Sequence, residues 1–372
     1  KTSNTGKYIL TNFKDHADVN ITSPYINVQN GSAPATQASI VWTDQSGIVE
    51  ASSLSVTGSG ANSYLNFHVP ANKIKNGNAV IAVKNASGTI MWSWHLWFAQ
   101  QDVLGTVACT NFQNKIYNFT NMPLGWKYTI WNRSTYSAPR SVRVKVEQTA
   151  TNGGVKKFAT FTITQDNGKS LEGFTTYYQF GRKDAIPTVE TFQDGSFTWQ
   201  GEDGVSIMKS IQHPEIFYTY YGWNNFMRYN LWSMDNTTPS RNDNTVVKTI
   251  YDPCPVGFHM PASNAFTGFS SNGRDNGALN VSGVWEYGWN FNNRITSPDA
   301  TVYFPAAGCH TGNGGDQATD HGQCGYYWLA IPINEKKSYA MFFNRWGIDP
   351  YDHEDNLSIN LPKALSVRPV AE

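Results

Sequence analysis

The chain of 372 residues has no surplus of either charge: 28 lysines and arginines stand against 28 aspartates and glutamates, a formal net charge of zero. Without a basic surplus there is no electrostatic footprint for a phosphate backbone, so nucleic acid is not an expected partner. No run approaches the 18 or more apolar residues that a membrane-spanning helix needs. Lys1–Leu10 lacks the charged-then-apolar pattern of a secretion signal, which leaves open a signal or lipid-bearing segment upstream. Cysteine is scarce. Cys109, Cys254, Cys309 and Cys324 are the four present, and none has the C-x-x-C spacing of a zinc ribbon or redox site. A sparse, even set favours disulfides and export. GxSxG, HExxH and GxxxxGK are all missing, which removes the usual sequence support for serine hydrolase, zincin and P-loop chemistry. A glycosidase is not excluded this way, because its two carboxylates have no fixed sequence spacing.

Helical periodicity is equally scarce. Short β-branched and aromatic runs recur instead between Gly, Asn, Asp and Pro clusters, and 14% of the residues are aromatic while only 15% are charged. The expected class is mainly β. Ala79–Val83 is apolar at every position, Lys84–Gly88 supplies a turn, and Thr89–Phe98 completes a hairpin that puts Ile90, Trp92, Trp94, Leu96 and Phe98 on one face, expected to be buried. Gln37–Thr43, Ile48–Val56 and Tyr64–Val69 read as further strands, so residues 1–101 are expected to form a β-sandwich. A second hairpin sets Val142, Val144 and Val146 against Phe161 and Ile163, a pattern of one buried and one solvated face. It places a second β-sandwich or connecting β region over 102–173, with Asp166–Gly173 as a junction. From 174 to 372 the loops lengthen. Ser263 is expected to cap a short helix over Asn264–Phe269, and strands are expected at Thr301–Phe304, Tyr326–Ile331, Tyr339–Phe343 and Leu365–Val370.

The second half carries an ordered set of motifs: Tyr177–Asp184 (YYQFGRKD), Ser210–Phe217 (SIQHPEIF), Asn230–Trp232 (NLW), Lys248–Pro261 (KTIYDPCPVGFHMP), Phe304–Gly308 (FPAAG), Gly325–Trp328 (GYYW) and Leu365–Val370 (LSVRPV). Together they resemble the Fibrobacter succinogenes major paralogous domain of Bacteroidales surface proteins. Ala79–Phe98 is similar to the N-terminal part of fimbrillin-family proteins of the same bacteria. The resemblance implies a fimbrillin-like β-sandwich region followed by a C-type-lectin-like α+β domain with long loops, in a cell-surface adhesin. It also implies a place on a fimbrium or an outer-membrane anchor, and strand addition from a neighbouring fimbrial subunit into the N-terminal sandwich. Because the chain ends directly after Leu365–Val370, a tip position is expected. Family members often carry Cys where this chain has Pro369, so Cys254 lacks that partner.

Two constellations carry possible binding chemistry. Asn344, Trp346, Tyr351, Asp352, His353, Asp355 and Asn356 combine aromatic rings with carboxylates and amides, the groups that stack on a sugar ring and hydrogen-bond its hydroxyls. The same residues would also serve as a solvated loop pinned by its aromatics. Four carboxylates, Asp349, Asp352, Glu354 and Asp355, offer oxygen ligands for Ca²⁺, although the EPN, QPD and WND motifs of calcium-dependent lectins are absent. The second cluster is Cys309, His310, Asp316, Asp320, His321 and Cys324, a possible tetrahedral Zn²⁺ set. In an exported protein a Cys309–Cys324 disulfide is the preferred reading, and no metal is assigned. The expected function is therefore attachment to a glycan or to a host or bacterial surface protein. A carbohydrate-active enzyme or its binding module and a structural capping subunit are the alternatives.

Overall fold

The computed structural model of the chain describes residues 13–131, 139–149, 153–165, 170–188, 193–201, 205–219, 230–311, 318–333, 338–351 and 363–372. These are mainly β, as the periodicities predict; the α-helices among them, α1 (Ile26–Gln29) and α2 (Ile207–Gln212), are short.

The first hundred residues hold β1 (Gln37–Thr43), β2 (Ser55–Thr57), β3 (Tyr64–Asn66), β4 (Gly77–Lys84) and β5 (Ile90–Phe98). The expected hairpin is β4–β5. Its unbroken apolar run has a physical reason: both faces of β4 are covered. Ala79 and Ile81 pack on a small cluster with Ile48, Val49, Leu65 and Leu96. Val80 and Ala82 point the other way and join the main core beside Trp42. The strand expected over Ile48–Val56 shrinks to Ser55–Thr57, because Ser53 N–H and Oγ both donate to the Glu50 carbonyl (3.0 and 2.6 Å) and hold a turn. The face of β5 expected to be buried is only partly so. Trp94 is 38% exposed, and the deeply buried residues are Met91 and Ser93 of the opposite face. The cause is position: among the described residues β5 pairs with β4 alone and forms the edge of its sheet.

Next come β6 (Thr106–Thr110), β7 (Ile116–Thr120), β8 (Lys127–Trp131), β9 (Arg140–Glu147), β10 (Phe158–Gln165) and β11 (Ser170–Phe174). The second expected hairpin is β9–β10, in the register Val142↔Ile163, Val144↔Phe161 and Val146↔Ala159. Its apolar row is not covered, contrary to expectation: Val142, Phe161 and Ile163 are each about half exposed. The ladder β8–β11 precedes and follows it in sequence, so Ser170–Phe174 is paired strand and not the expected junction; the rest of that junction, 166–169, lies outside the described residues.

The remainder contributes β12 (Tyr178–Gln179), β13 (Asp194–Gly195), β14 (Thr198–Gln200), β15 (Ile216–Tyr218), β16 (Phe258–His259), β17 (Val281–Ser282), β18 (Gly288–Asn292), β19 (Thr301–Pro305), β20 (Cys324–Pro332), β21 (Ser338–Asn344), β22 (Ile348–Asp349), β23 (Ala364–Leu365) and β24 (Val370–Ala371). Three late strands fall where the alternation puts them. The fourth splits into β23 and β24 around Pro369, which cannot donate to a ladder. The helix expected after Ser263 is a 3₁₀ turn at Thr267–Phe269. Ser263 Oγ accepts instead from Asn242 N–H (3.0 Å) and so pins a neighbouring loop.

Paired strands cross both expected domain boundaries. β13 adds to β1, with Trp42 opposite Gly195, whose φ of 92° and missing Cβ are required: a Cβ there would sit 2.1 Å from the Val41 carbonyl oxygen. β24 joins β7 and β16 in the sheet β16-β24-β7-β6. One core runs from Phe13 to Val370. The sequence motifs staple it. Buried Arg368 donates to the carbonyls of Thr120 (2.8 Å), Asn121 (2.8 Å) and Tyr303 (2.9 Å), with its guanidinium 4.2 Å from the Phe304 ring centroid. Trp328 Nε1 donates to Tyr178 O (2.6 Å) and Trp232 Nε1 to Tyr251 O (3.1 Å). These residues satisfy backbone carbonyls that burial would otherwise orphan.

Candidate functional site

A groove of about 590 Å³ runs along the edge of β5. Met91 to His95 line it consecutively, as only a strand seen edge-on can, since alternate residues point to opposite faces. Trp97, Ile21, Ile26, Ile250 and Pro253 complete its apolar lining. Lys183 Nζ sits 4.5 Å from the Trp92 ring centroid and donates to Ser93 O (3.3 Å) and Asp184 Oδ1 (2.5 Å). The Ser93 carbonyl, mid-strand, therefore faces away from β4. Desolvation lowers the pKa of Lys183 while Asp184 opposes that shift. The pair ties the middle of β5 to the segment after β12.

The polar groups in the groove are already committed. Asp15 Oδ1 accepts from Ala17 N–H (2.8 Å) and Val19 N–H (3.1 Å), and its Oδ2 from Gln29 Nε2 (3.1 Å). Asp252 accepts from Lys248 Nζ (3.1 Å), Cys254 N–H (2.8 Å) and Met260 N–H (3.0 Å). Asn78 Nδ2 donates to Asp44 Oδ2 and Gly125 O, so its Oδ1 accepts from His95 Nε2 (2.9 Å), and His95 Nδ1 accepts from the Tyr178 hydroxyl (2.8 Å). Burial lowers the pKa of His95 to about 3, which keeps it neutral. Such a groove presents aromatic faces beside a strand edge whose middle is already bridged by Lys183, with its acids held in structural bonds.

The loop expected to bind sugar is divided. Asn344 Oδ1 accepts from Trp346 N–H (2.8 Å) and Gly347 N–H (2.9 Å), and its carbonyl takes Trp289 Nε1 (3.0 Å), so Asn344 builds the β21–β22 turn. Trp346, at that turn, is 84% exposed. Tyr351 goes inward instead, 3% exposed, with the Arg241 guanidinium 3.9 Å from its ring centroid. As a displayed stacking ring Tyr351 is corrected: it pins the loop. Asp352, His353, Asp355 and Asn356 lie outside the described residues, as do Glu354 and Asp316. Asp349 Oδ1 is occupied by Tyr351 N–H (3.0 Å). Among the described residues no group of three His, Cys, Asp or Glu is placed to hold a metal ion.

Cys309 and Cys324 lie on adjoining segments, where Gly308 N–H donates to Cys324 O (2.9 Å), but both are free thiols, and the expected disulfide is not formed in this structure. Burial pushes Cys309 up to about 12 and lowers His321 to about 4. Asp320 accepts from the Tyr326 hydroxyl (2.9 Å), and His310 is buried edge-on to Tyr177. This second constellation is committed to structural contacts with Tyr177 and with Tyr326 of β20.

Sequence reasoning missed the groove. Two signals were present: aromatics on both faces of β5, since Trp97 breaks the register of Trp92 and Trp94, and the Lys183–Asp184 pair inside a motif otherwise made of core residues. Residues 288–370, from β18 to the start of β24, are similar to a domain of unknown function (DUF8237). No curated protein and no solved structure matches the chain.

Proposed function

We propose that this chain is an attachment protein of the cell surface that receives an extended strand from a neighbouring subunit along β5 and contacts its target through exposed aromatic residues. The groove carries the reading: Trp92, Trp94 and Trp97 line an apolar slot beside the last strand of its sheet, which suits an extended segment whose alternate side chains enter it, with pairing to β5 on either side of the Lys183 bridge. Its two carboxylates are bound to backbone and side-chain donors, which favours binding over glycoside hydrolysis. Trp346, on the β21–β22 turn, is the exposed ring for a glycan or a surface protein. A single sugar contact of this kind is worth about −4 to −8 kcal/mol, millimolar to micromolar, so attachment relies on many copies. A lectin-like head and a place on a fimbrium belong to the same proposal.

Two measurements test it. Hydrogen exchange of the full chain mixed with fimbrial subunits from the same surface is expected to slow at Met91–Trp97. A glycan and surface-protein array is expected to show binding that Trp346→Ala abolishes. Exchange unchanged at β5, together with an array signal indifferent to Trp346, overturns the reading.

A further inference from the structure

The ribbon β9–β10 has two unlike faces, and almost nothing among the described residues covers either. All eight residues of β10 are exposed, as are seven of the eight of β9, Val144 being half-buried. Side chains alternate along a strand, so the register sorts them. Val142, Val144 and Val146 stand opposite Ile163, Phe161 and Ala159 on one face, an unbroken row of three apolar pairs. Each end of that row carries a cation on the same face. Arg140, opposite Gln165, stands two residues before Val142. Lys157, whose carbonyl accepts from Gln148 N–H (3.0 Å), takes the register one pair past Glu147↔Phe158 and so falls in line with Ala159 and Phe161. The other face is polar, with Arg143 and Lys145 opposite Thr162 and Thr160. Residues 140–165 carry five lysines and arginines against Glu147 alone, a net +4 in a chain that is neutral overall. Glu147 is itself bridged by Lys145 (2.9 Å).

We propose that this ribbon is a membrane-docking element, its apolar face lying in the surface of a bilayer that carries anionic phospholipids. The row enters the boundary between headgroups and acyl chains. The cations at its two ends, about 27 Å apart along the ribbon, reach the phosphates above it, as long basic side chains do at such interfaces. Charge selects this occupant over a second copy, since two ribbons of +4 repel where an anionic surface attracts. Area selects it over another protein. One face of a ribbon about 27 Å long and about 10 Å wide offers roughly 270 Å², and a protein packed on it buries about twice that in all, under half of the roughly 1,200 Å² of a stable interface. A bilayer sets no such threshold. Interfacial binding combines a modest apolar insertion with the attraction of several Lys or Arg for anionic headgroups, and the ribbon supplies both. A soluble polyanion would use the cations and leave the row in water. Two strands alone are also marginal, and a packed face is what this ribbon lacks. None of its residues lines the β5 groove, so its docking is independent of whether that edge takes a strand.

Co-sedimentation of the full chain with vesicles tests this. Vesicles of equal parts phosphatidylglycerol and phosphatidylcholine are expected to bind it, with an affinity that falls as salt is raised and that exceeds the affinity for phosphatidylcholine alone by about tenfold or more. Phe161→Asp with Ile163→Asp and, separately, Arg140→Gln with Lys157→Gln are each expected to weaken the binding by about tenfold or more. All four positions are exposed, and circular dichroism of each variant establishes that the chain is folded. A chain that ignores the anionic vesicles overturns the proposal. Vesicle binding that survives Phe161→Asp with Ile163→Asp overturns it as well, because the row is then a bystander to a charge effect. Heparin that binds the chain where vesicles do not, or self-association without vesicles that Val144→Asp abolishes, gives the ribbon a different partner and overturns it equally.

Discussion

Two hairpins of this molecule are built on nearly the same local rules and meet opposite fates. In β4–β5 both faces of β4 disappear, one into the small cluster of Ile48 and Leu65 and one into the main core beside Trp42. In β9–β10 the alternation of valine with arginine and lysine is at least as regular, yet neither face is covered. The difference lies in what surrounds each ribbon. β4 is flanked by β1 and β5 within a four-stranded sheet, whereas among the described residues β9 and β10 pair only with each other. Alternation therefore shows that a strand has an apolar face without showing which molecule covers it.

The sharpest way to break this comparison is to place one charge in each hairpin. Val80→Asp puts a carboxylate where the side chain is 1% exposed with no donor to meet it, and a loss of about 4 kcal/mol or more is expected, enough to abolish two-state denaturant unfolding of a folded chain. Arg368→Ala comes next. It orphans three carbonyls and removes the guanidinium from the Phe304 ring, for an expected loss of about 3–5 kcal/mol by urea unfolding. A loss below about 1 kcal/mol would mean that water replaces the guanidinium and that the last motif is not a staple.

Acid gives a smaller, graded effect. His321 falls from 6.5 to about 4 in the folded chain, chiefly through burial, so the unfolded chain binds more protons between those values. Stability is then full above about pH 6.5 and declines toward pH 4, by at most about 1.4 kcal/mol per unit for this group. His95, lowered to about 3, adds its own decline over the same window and carries it on toward pH 3. His321→Phe is expected to reduce, by about half, the slope of the unfolding midpoint against pH between pH 6.5 and 4, the remainder being that of His95. An unchanged slope would assign the acid sensitivity elsewhere.

These contrasts mark what was legible in the chain. The class and most strand positions followed from period-two runs because those runs report local geometry. Gln37–Thr43 is a strand to the residue, and β19, β20 and β21 fall within two residues of expectation. Sheet partnership was not legible, because nothing local to Trp42 says that Gly195 will lie opposite it. The candidate site suffered similarly. Trp346 and Tyr351 look alike in a loop of mixed aromatics and carboxylates, and what separates them is Arg241, far off in sequence, whose guanidinium covers Tyr351 and leaves Trp346 bare. The groove was hidden for a related reason: its walls come from residues near 21–30, 91–97 and 248–256, and only folding brings them to one edge.

The smallest expected change is the most informative about the arm. Val144→Asp alters a half-buried residue in a row otherwise in water, so in dilute solution its effect on unfolding should stay within about 1 kcal/mol. A larger loss would show that the apolar row is covered within a single chain, and the contrast between the two hairpins would vanish. Concentration then separates the remaining possibilities. A partner that binds only the folded chain adds stability by mass action, so if copies associate the midpoint of the unaltered protein should rise as it is concentrated. The Val144→Asp chain, with a charge in the exposed apolar row, should show no such rise if that row is what associates. Equal concentration dependence in both proteins would mean that whatever associates does so without the arm.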